Sequence, residues 1–505
     1  MSEPRGVEAY RLLTAELREL ALFSSSASVL GWDQETMMPP RAGELRAEQF
    51  AALGGLVHQR HTRAEVGDWL AACEADDHLL TDPRITANLR EIRREYDREV
   101  RLPESLVREI ASTTALAQQA WRQARESSDF AAFAPWLEKV FHLSRQRADC
   151  LRAGTDSSRY DVLMDQFEPG AKAVELEEVF RALRLRLTPL IGEVAAAIPA
   201  EPPPVQNGAI AIVAQEAFNR GVAERMGFDF AAGRLDISTH PFCEGIGPGD
   251  TRLTTRYRED DFTDALSSTM HEAGHGLYEQ GLPKDAHFGA PLAEATSLGI
   301  HESQSRLWEN LVGRSRPFWR WAQPRAAEAF GAPLAGVNAD DLFSAVNQLR
   351  PNLIRVDSDE VTYNLHIMLR FDLERVLLEG DLAVADLPGV WNERIRSDLG
   401  LEVPDDRAGC LQDIHWSMGA IGYFPTYTLG NLYAAQFWNA AAREMPELDE
   451  EVERGEFGGL REWLRRNIHV FGRQFTASEL CVRATGEPLN AEHFLRYVEG
   501  KFGAK

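Results

Sequence analysis

Five residues constrain this chain more than any others: His271-Glu272-Ala273-Gly274-His275. Histidines four apart share a face only in an α-helix, where one turn separates them. From that face two imidazoles can grip one zinc ion, and Glu272 between them stands where a general base for an attacking water is needed. The flanks also read as helix. Asp261 and Asp264 give an acidic first turn, Leu266, Met270 and Leu277 recur at near-helical spacing, and Gly281 and Pro283 stop the segment.

Most of the remaining sequence reads as helix too. Tyr10, Leu13, Leu17 and Leu20 recur three or four apart, predicting a helix over residues 7–22 that Gly31-Trp32-Asp33-Gln34 interrupts. Pro39-Pro40 opens a second helix running through Leu53, and further helices are expected from Pro103, over Phe130–Leu151 and over residues 173–198. Glu201-Pro202-Pro203-Pro204 cannot continue a helix and reads as a linker. It divides an N-terminal helical lobe, residues 1–200, from a catalytic region, residues 201–505, the two forming one continuous helical fold.

After a helix over residues 209–226 the period changes. Residues 234–239 and 251–257 alternate or carry β-branched side chains, with Gly245, Gly247, Pro248 and Gly249 between them. Two short strands joined by a loop are expected, forming a small β-sheet edge beside the zinc helix that can wall an extended peptide. Helices follow over residues 292–312, 339–349, 361–378 and 388–399. Residues 409–430 mix glycines, aromatics and polar residues without a period, a pattern of site-lining loops. Thr476-Ala477-Ser478-Glu479 is a capping box.

Acidic residues outnumber basic ones by 78 to 54, a formal charge of −24, which excludes nucleic acid and anionic membrane surfaces as partners. Five scattered cysteines with no CxxC pair indicate neither a disulfide framework nor a thiolate metal site, and point to the reducing cytoplasm. No run approaches the roughly 18 apolar residues of a membrane span, and the N-terminus has no apolar signal core.

A zinc hydrolase needs a third protein ligand and an open position. No third histidine follows at the metzincin spacing, which leaves a glutamate downstream. Glu294 and Glu302 both qualify. On one helix they stand about 12 Å apart and cannot share an ion. Glu302 can equally pair with Arg306 one turn on, and spacing does not separate the two candidates.

The run from Glu294 to Asn310, EATSLGIHESQSRLWEN, together with HEAGHGLYEQG from His271, resembles the carboxypeptidase Taq family of metallocarboxypeptidases. Further stretches resemble its motifs in the same order along nearly the whole chain. They are GWDQETMM from Gly31, HPF from His240, DTRLT from Asp250, IRVDSD from Ile354 and GCLQDIHW from Gly409. Ser358 stands where the fourth of these has alanine.

The resemblance implies His271, His275 and Glu302 as metal ligands, Glu272 as the catalytic residue, a mainly α, saddle-like fold with a deep active-site groove, and a homodimer. It also implies an exopeptidase for peptides with a free C-terminus, using one zinc per subunit with cobalt able to substitute. Arg355 is the expected reader of the terminal carboxylate, since a guanidinium fork matches two carboxylate oxygens; Asp357 and Asp359 are its alternative partners. Tyr423, His240 and His415 are further substrate-binding candidates. Two other readings are a zinc endopeptidase or dipeptidyl carboxypeptidase using the same site, and a non-catalytic helical peptide-binding protein in which HExxH is a chance string.

Overall fold

A computed structural model describes residues 5–197 and 204–503. Helices dominate, and a single three-stranded sheet holds the strands found among the described residues. The chain divides into two compact units. The first draws on Met1–Glu99, Pro203–Val346 and Tyr433–Leu489, the second on Val100–Pro202, Asn347–Leu432 and Asn490–Lys505, so neither is a continuous run of sequence. The linker expected at Glu201-Pro202-Pro203-Pro204 lies, apart from Pro204, outside the described residues.

In the first unit the opening helix runs Arg5–Thr36, well past the interruption expected at Gly31. Tertiary packing explains the difference. Trp32 is buried, with the guanidinium groups of Arg234 and Arg252 centred 4.6 and 4.5 Å from its ring. Arg234 is held by Asp236, and Arg252 by Asp250 through two 2.8 Å bonds. Each arginine thus keeps its charge paired while presenting a face to the indole, an attraction of about 0.5–2 kcal/mol per pair. Asp33 accepts a 2.7 Å bond from Arg46, which also reaches the carbonyl of Leu30. Leu13, Val66, Leu70, Cys73 and Ile92 form the apolar core beneath this helix.

The sheet comprises β1 (Gly233–Ile237), β2 (Cys243–Gly247) and β3 (Asp250–Thr255), in the order β1-β3-β2. β1 pairs parallel to β3, and β2 antiparallel to it. The sequence predicts two strands and a loop, and the loop contains the third strand. Gly245 and Gly247 conceal it, because glycine in a strand marks close approach by another group. A Cβ at Gly245 collides with the Glu279 carboxylate and the Lys284 ammonium, which pair against the strand. β3 leads to the HExxH helix, Phe262–Gly281, whose first N–H groups are capped by Asp261 through Thr263 and Asp264 at 3.0 and 3.3 Å.

In the second unit, Glu104–Ser127 and Phe130–Leu151 are consecutive helices joined through Ser128, which adopts a left-handed conformation with φ 55°. Thr362–Glu379 is buried around most of its circumference, as a central helix requires. Trp416 lies in this unit's core, its indole N–H donating to Glu374 at 2.8 Å.

Replacing Trp32 with alanine removes a buried indole and both arginine contacts. The Trp32→Ala chain is expected to lose about 3–5 kcal/mol of stability, measurable as a lower midpoint in denaturant unfolding followed by circular dichroism.

Candidate metal centre

On the HExxH helix the rings of His271 and His275 lie 4.9 Å apart and face the same side. Glu302 comes from a second helix, Leu298–Arg306, started by Ser297, whose hydroxyl accepts the N–H of Ile300 at 3.1 Å. Its Oε2 lies 3.4 Å from Nε2 of His275 and 3.8 Å from Nε2 of His271. One ligand atom from each of the three residues falls within 4.8 Å of the others, and this is the cluster among the described residues that can hold a metal ion.

Gly274 makes the convergence possible. A Cβ there falls 2.6 Å from the carbonyl oxygen of Gln304 and 2.7 Å from Cα of Ser305, so the helices can touch only through a glycine. Contacts run in opposite directions along them: His275 meets His301, and one turn back His271 meets Glu309.

Each imidazole is fixed at the nitrogen turned away from the cluster. Nδ1–H of His275 donates to the main-chain oxygen of His301 at 3.0 Å, and Nδ1–H of His271 donates to Glu309 at 2.8 Å. Both Nε2 atoms therefore keep their lone pairs for a cation. The ring of His301 stacks on His275 with centroids 4.4 Å apart, and its Nε2 bonds Glu279 at 2.8 Å.

The carboxylates divide by environment. Burial alone pushes Glu302 upward, but Arg306, His271 and His275 hold it well below the usual carboxylate range. Burial pushes His275 down to about 3, with His301 adding to the effect. For His271 burial is outweighed by Glu302 and Glu309, which raise it. Glu272 has no comparable cationic clamp: burial dominates, and it rises to about 7. An ionised carboxylate and two imidazoles with free Nε2 atoms suit a tetrahedral divalent cation, and a neighbouring glutamate poised near neutrality suits proton transfer.

Glu302 forms the Arg306 pair at 2.7 Å with Oε1 while Oε2 faces the histidines, so the pairing and the approach to the imidazoles do not exclude each other. Glu294 is elsewhere. The helix expected from residue 292 begins only at Leu298, and Glu294 follows a short turn, Pro291–Ala293, to pair with Arg473 at 2.9 Å. Glu309, Glu279 and His301 were not singled out in the sequence. Glu309 stands seven residues beyond Glu302, two helical turns along one face, which is the signal that could have found it.

The other candidates gather mostly in the second unit. Arg355 is buried and pairs not with Asp357 or Asp359 but with Asp413, at 3.1 Å from Nε and 2.8 Å from Nη2. Nη1 donates to the hydroxyl of Tyr363 at 2.7 Å, so these bonds use three of its five N–H groups. Asp413 also accepts from Arg370 at 2.7 Å, and the two arginines hold it well below its ordinary range against burial. Gln412 locks the two motifs together, accepting the N–H of Arg355 at 2.9 Å and donating to the carbonyl of Leu353 at 3.1 Å. His415 packs 4.6 Å from Phe424 and 5.4 Å from Tyr423, and burial, with Arg355 and Arg370, pushes it down to about 4. Tyr423 also stacks edge-on with Phe167 at 5.0 Å. His240 lies in the first unit and is exposed, its carbonyl accepting from Ser238 at 2.7 Å.

Comparison with known proteins identifies the lineage. The profile of the carboxypeptidase Taq (M32) metallopeptidases matches residues 12–502. The chain belongs to that family. It is 44% identical over 505 residues to thermostable carboxypeptidase 1 of Thermus thermophilus, covering 98% of each chain. The crystal structure of an M32 carboxypeptidase from Deinococcus radiodurans R1 superposes with a TM-score of 0.94 at 42% identity, covering 98% of this chain and 99% of that one. Metallocarboxypeptidase 1 of Trypanosoma cruzi gives the same TM-score at 35% identity, covering 98% and 100%. As a member of the M32 family the chain is a peptide hydrolase of the metal-dependent class, mainly helical with one small sheet. Among the described residues no helix is long and apolar enough to cross a membrane.

Two measurements follow from this geometry. Gly274→Ala overpacks the helix contact and is expected to cost about 1–3 kcal/mol in thermal unfolding of the metal-free protein. The second concerns Glu272, which keeps its proton to about 7 when folded but releases it near 4.5 when unfolded. At this one group the metal-free folded state therefore binds more protons between these values, and the contribution of Glu272 to stability falls as pH rises through that window, by up to about 3 kcal/mol. Glu272→Gln removes this contribution while Glu374 and the buried histidines keep theirs, so the stability difference between wild type and variant, from urea unfolding in chelator, is expected to change between pH 5 and pH 7.5.

Proposed function

We propose that this chain is a zinc-dependent carboxypeptidase that releases single C-terminal residues from peptides with broad specificity. One observation carries the reading: two imidazole Nε2 atoms and one carboxylate oxygen converge beside a buried glutamate, in a chain of the M32 family. His271, His275 and Glu302 would hold a divalent cation, zinc or cobalt in its place, which would supply Lewis acidity for a scissile carbonyl and lower the pKa of an attacking water toward about 7.

The protein's own groups do the rest. Glu272 accepts the water's proton at its carboxylate and returns a proton to the departing amine. Arg355 receives the substrate's terminal carboxylate, since the two N–H groups beyond those bonded to Asp413 and Tyr363 match its two oxygens. Asp413 and Tyr363 keep the fork oriented, so little side-chain freedom is lost on binding. Tyr423 donates its hydroxyl to the oxyanion or the substrate backbone, and His240 and His415 complete the substrate contacts. β2, at an edge of the sheet beside the HExxH helix, offers main-chain groups to an extended peptide. The family resemblance supports a homodimer. Five unpaired cysteines support a cytoplasmic setting.

Digestion of one peptide as free acid and as C-terminal amide tests the reading. Amidation is expected to lower kcat/KM by about a hundredfold or more, whereas equal cleavage of both forms assigns the site to an endopeptidase. Glu272→Gln is expected to lower kcat by about 10²–10⁴ with zinc content unchanged.

A further inference from the structure

Directly after the helix Leu298–Arg306 the chain continues as a π-helical segment, Leu307–Gly313. A π turn holds one more residue than an α turn and is rare, recurring where a side chain must be aimed. The side chain aimed here is Glu309. It is buried, and its Oε2 accepts the Nδ1–H of His271 at 2.8 Å. Three other groups fix the same carboxylate: Arg306 on Oε2 at 3.1 Å, Arg314 on Oε1 at 3.0 Å and Ser267 on Oε1 at 3.1 Å. Against burial, Arg306, the His271 bond and Arg314 keep it ionised.

The two histidines are served differently. His275 is oriented by a main-chain oxygen, whereas His271 depends on one side chain from another element. Such a carboxylate fixes the tautomer, holds the ring plane and makes the far nitrogen a better donor. We propose that Glu309 is a positioning residue of the metal centre, aiming Nε2 of His271 at the cation from a clamp of Arg306, Arg314 and Ser267. This rests on the reading that His271, His275 and Glu302 hold a divalent ion.

The test is zinc affinity by chelator competition for wild type, Glu309→Gln, Glu309→Ala and His271→Ala, together with the visible spectrum of the Co2+ forms and thermal unfolding of the metal-free proteins. Glu309→Ala is expected to weaken zinc binding about 10–100-fold. Glu309→Gln keeps an oxygen for the Nδ1–H and is expected to lose about tenfold or less. Both are expected to shift the Co2+ absorption bands. If the alanine variant does not fold, the glutamine variant's affinity and spectrum decide. Zinc affinity within about twofold of wild type and an unchanged Co2+ spectrum, with only metal-free stability reduced, overturn the proposal by leaving Glu309 as a counter-charge for its arginines. A wild-type chain without tight zinc, or a His271→Ala chain that binds as wild type does, overturns the underlying reading and this one with it.

Discussion

Two antiparallel helices meet where Gly274 faces Gln304 and Ser305, close enough that no side chain fits between them. Everything in the metal cluster is referred to that contact. It brings Oε2 of Glu302 within 3.4 Å of one imidazole and 3.8 Å of the other, and it carries the main chain of His301 to Nδ1 of His275. A helix pair separated by an ordinary 8–10 Å packing distance demands longer side-chain reach and leaves the rings freer. Helix packing, more than any loop, fixes the geometry of the three side chains.

Charge is distributed around that contact with the same economy. Arg306 bridges two carboxylates, giving Nε to Glu302 at 2.7 Å and Nη1 to Glu309 at 3.1 Å. Both are kept anionic in a buried setting, one turned toward the cluster and the other behind His271. Glu272 shares the burial without the arginine, and the anionic charges of Glu302 and Glu309 add to its reluctance to ionise. Three buried glutamates on two neighbouring segments thus differ in their tendency to ionise because their neighbours differ, two held anionic beside arginine and one kept near neutrality by burial.

The local signals of the HExxH helix were readable in the sequence: the spacing of His271 and His275, the Asp261 cap and the stop at Gly281 are all properties of one segment. What the sequence hid depends on distant partners. Gly31 reads as a break, but packing of Trp32 against Arg234 and Arg252 carries the first helix through it. Cys243–Gly247 reads as a loop because its glycines make room for Glu279 and Lys284, which no local pattern announces. Spacing left Glu294 and Glu302 level, since the break before Leu298 that puts them on different elements comes from tertiary bonding. The sequence offers Asp357 and Asp359 as partners for Arg355, and the carboxylate it actually holds, that of Asp413, lies 58 residues on and was not legible.

The stretch leading into Glu302 is pinned from both ends of the sequence. Asn88 accepts the N–H of Leu292 at 3.1 Å, Thr296 donates to the carbonyl of Gly472 at 2.6 Å, and Arg473 holds the carbonyl of Ala295 at 3.1 Å. A ribosome delivers these partners in order, and the last arrives nearly four hundred residues after the first. Until it does, only one of these three bonds can form, and a nascent chain is left with an unfinished centre. Contacts of such long range make folding slow to nucleate, and they make the centre one of the last features a newly synthesised molecule acquires.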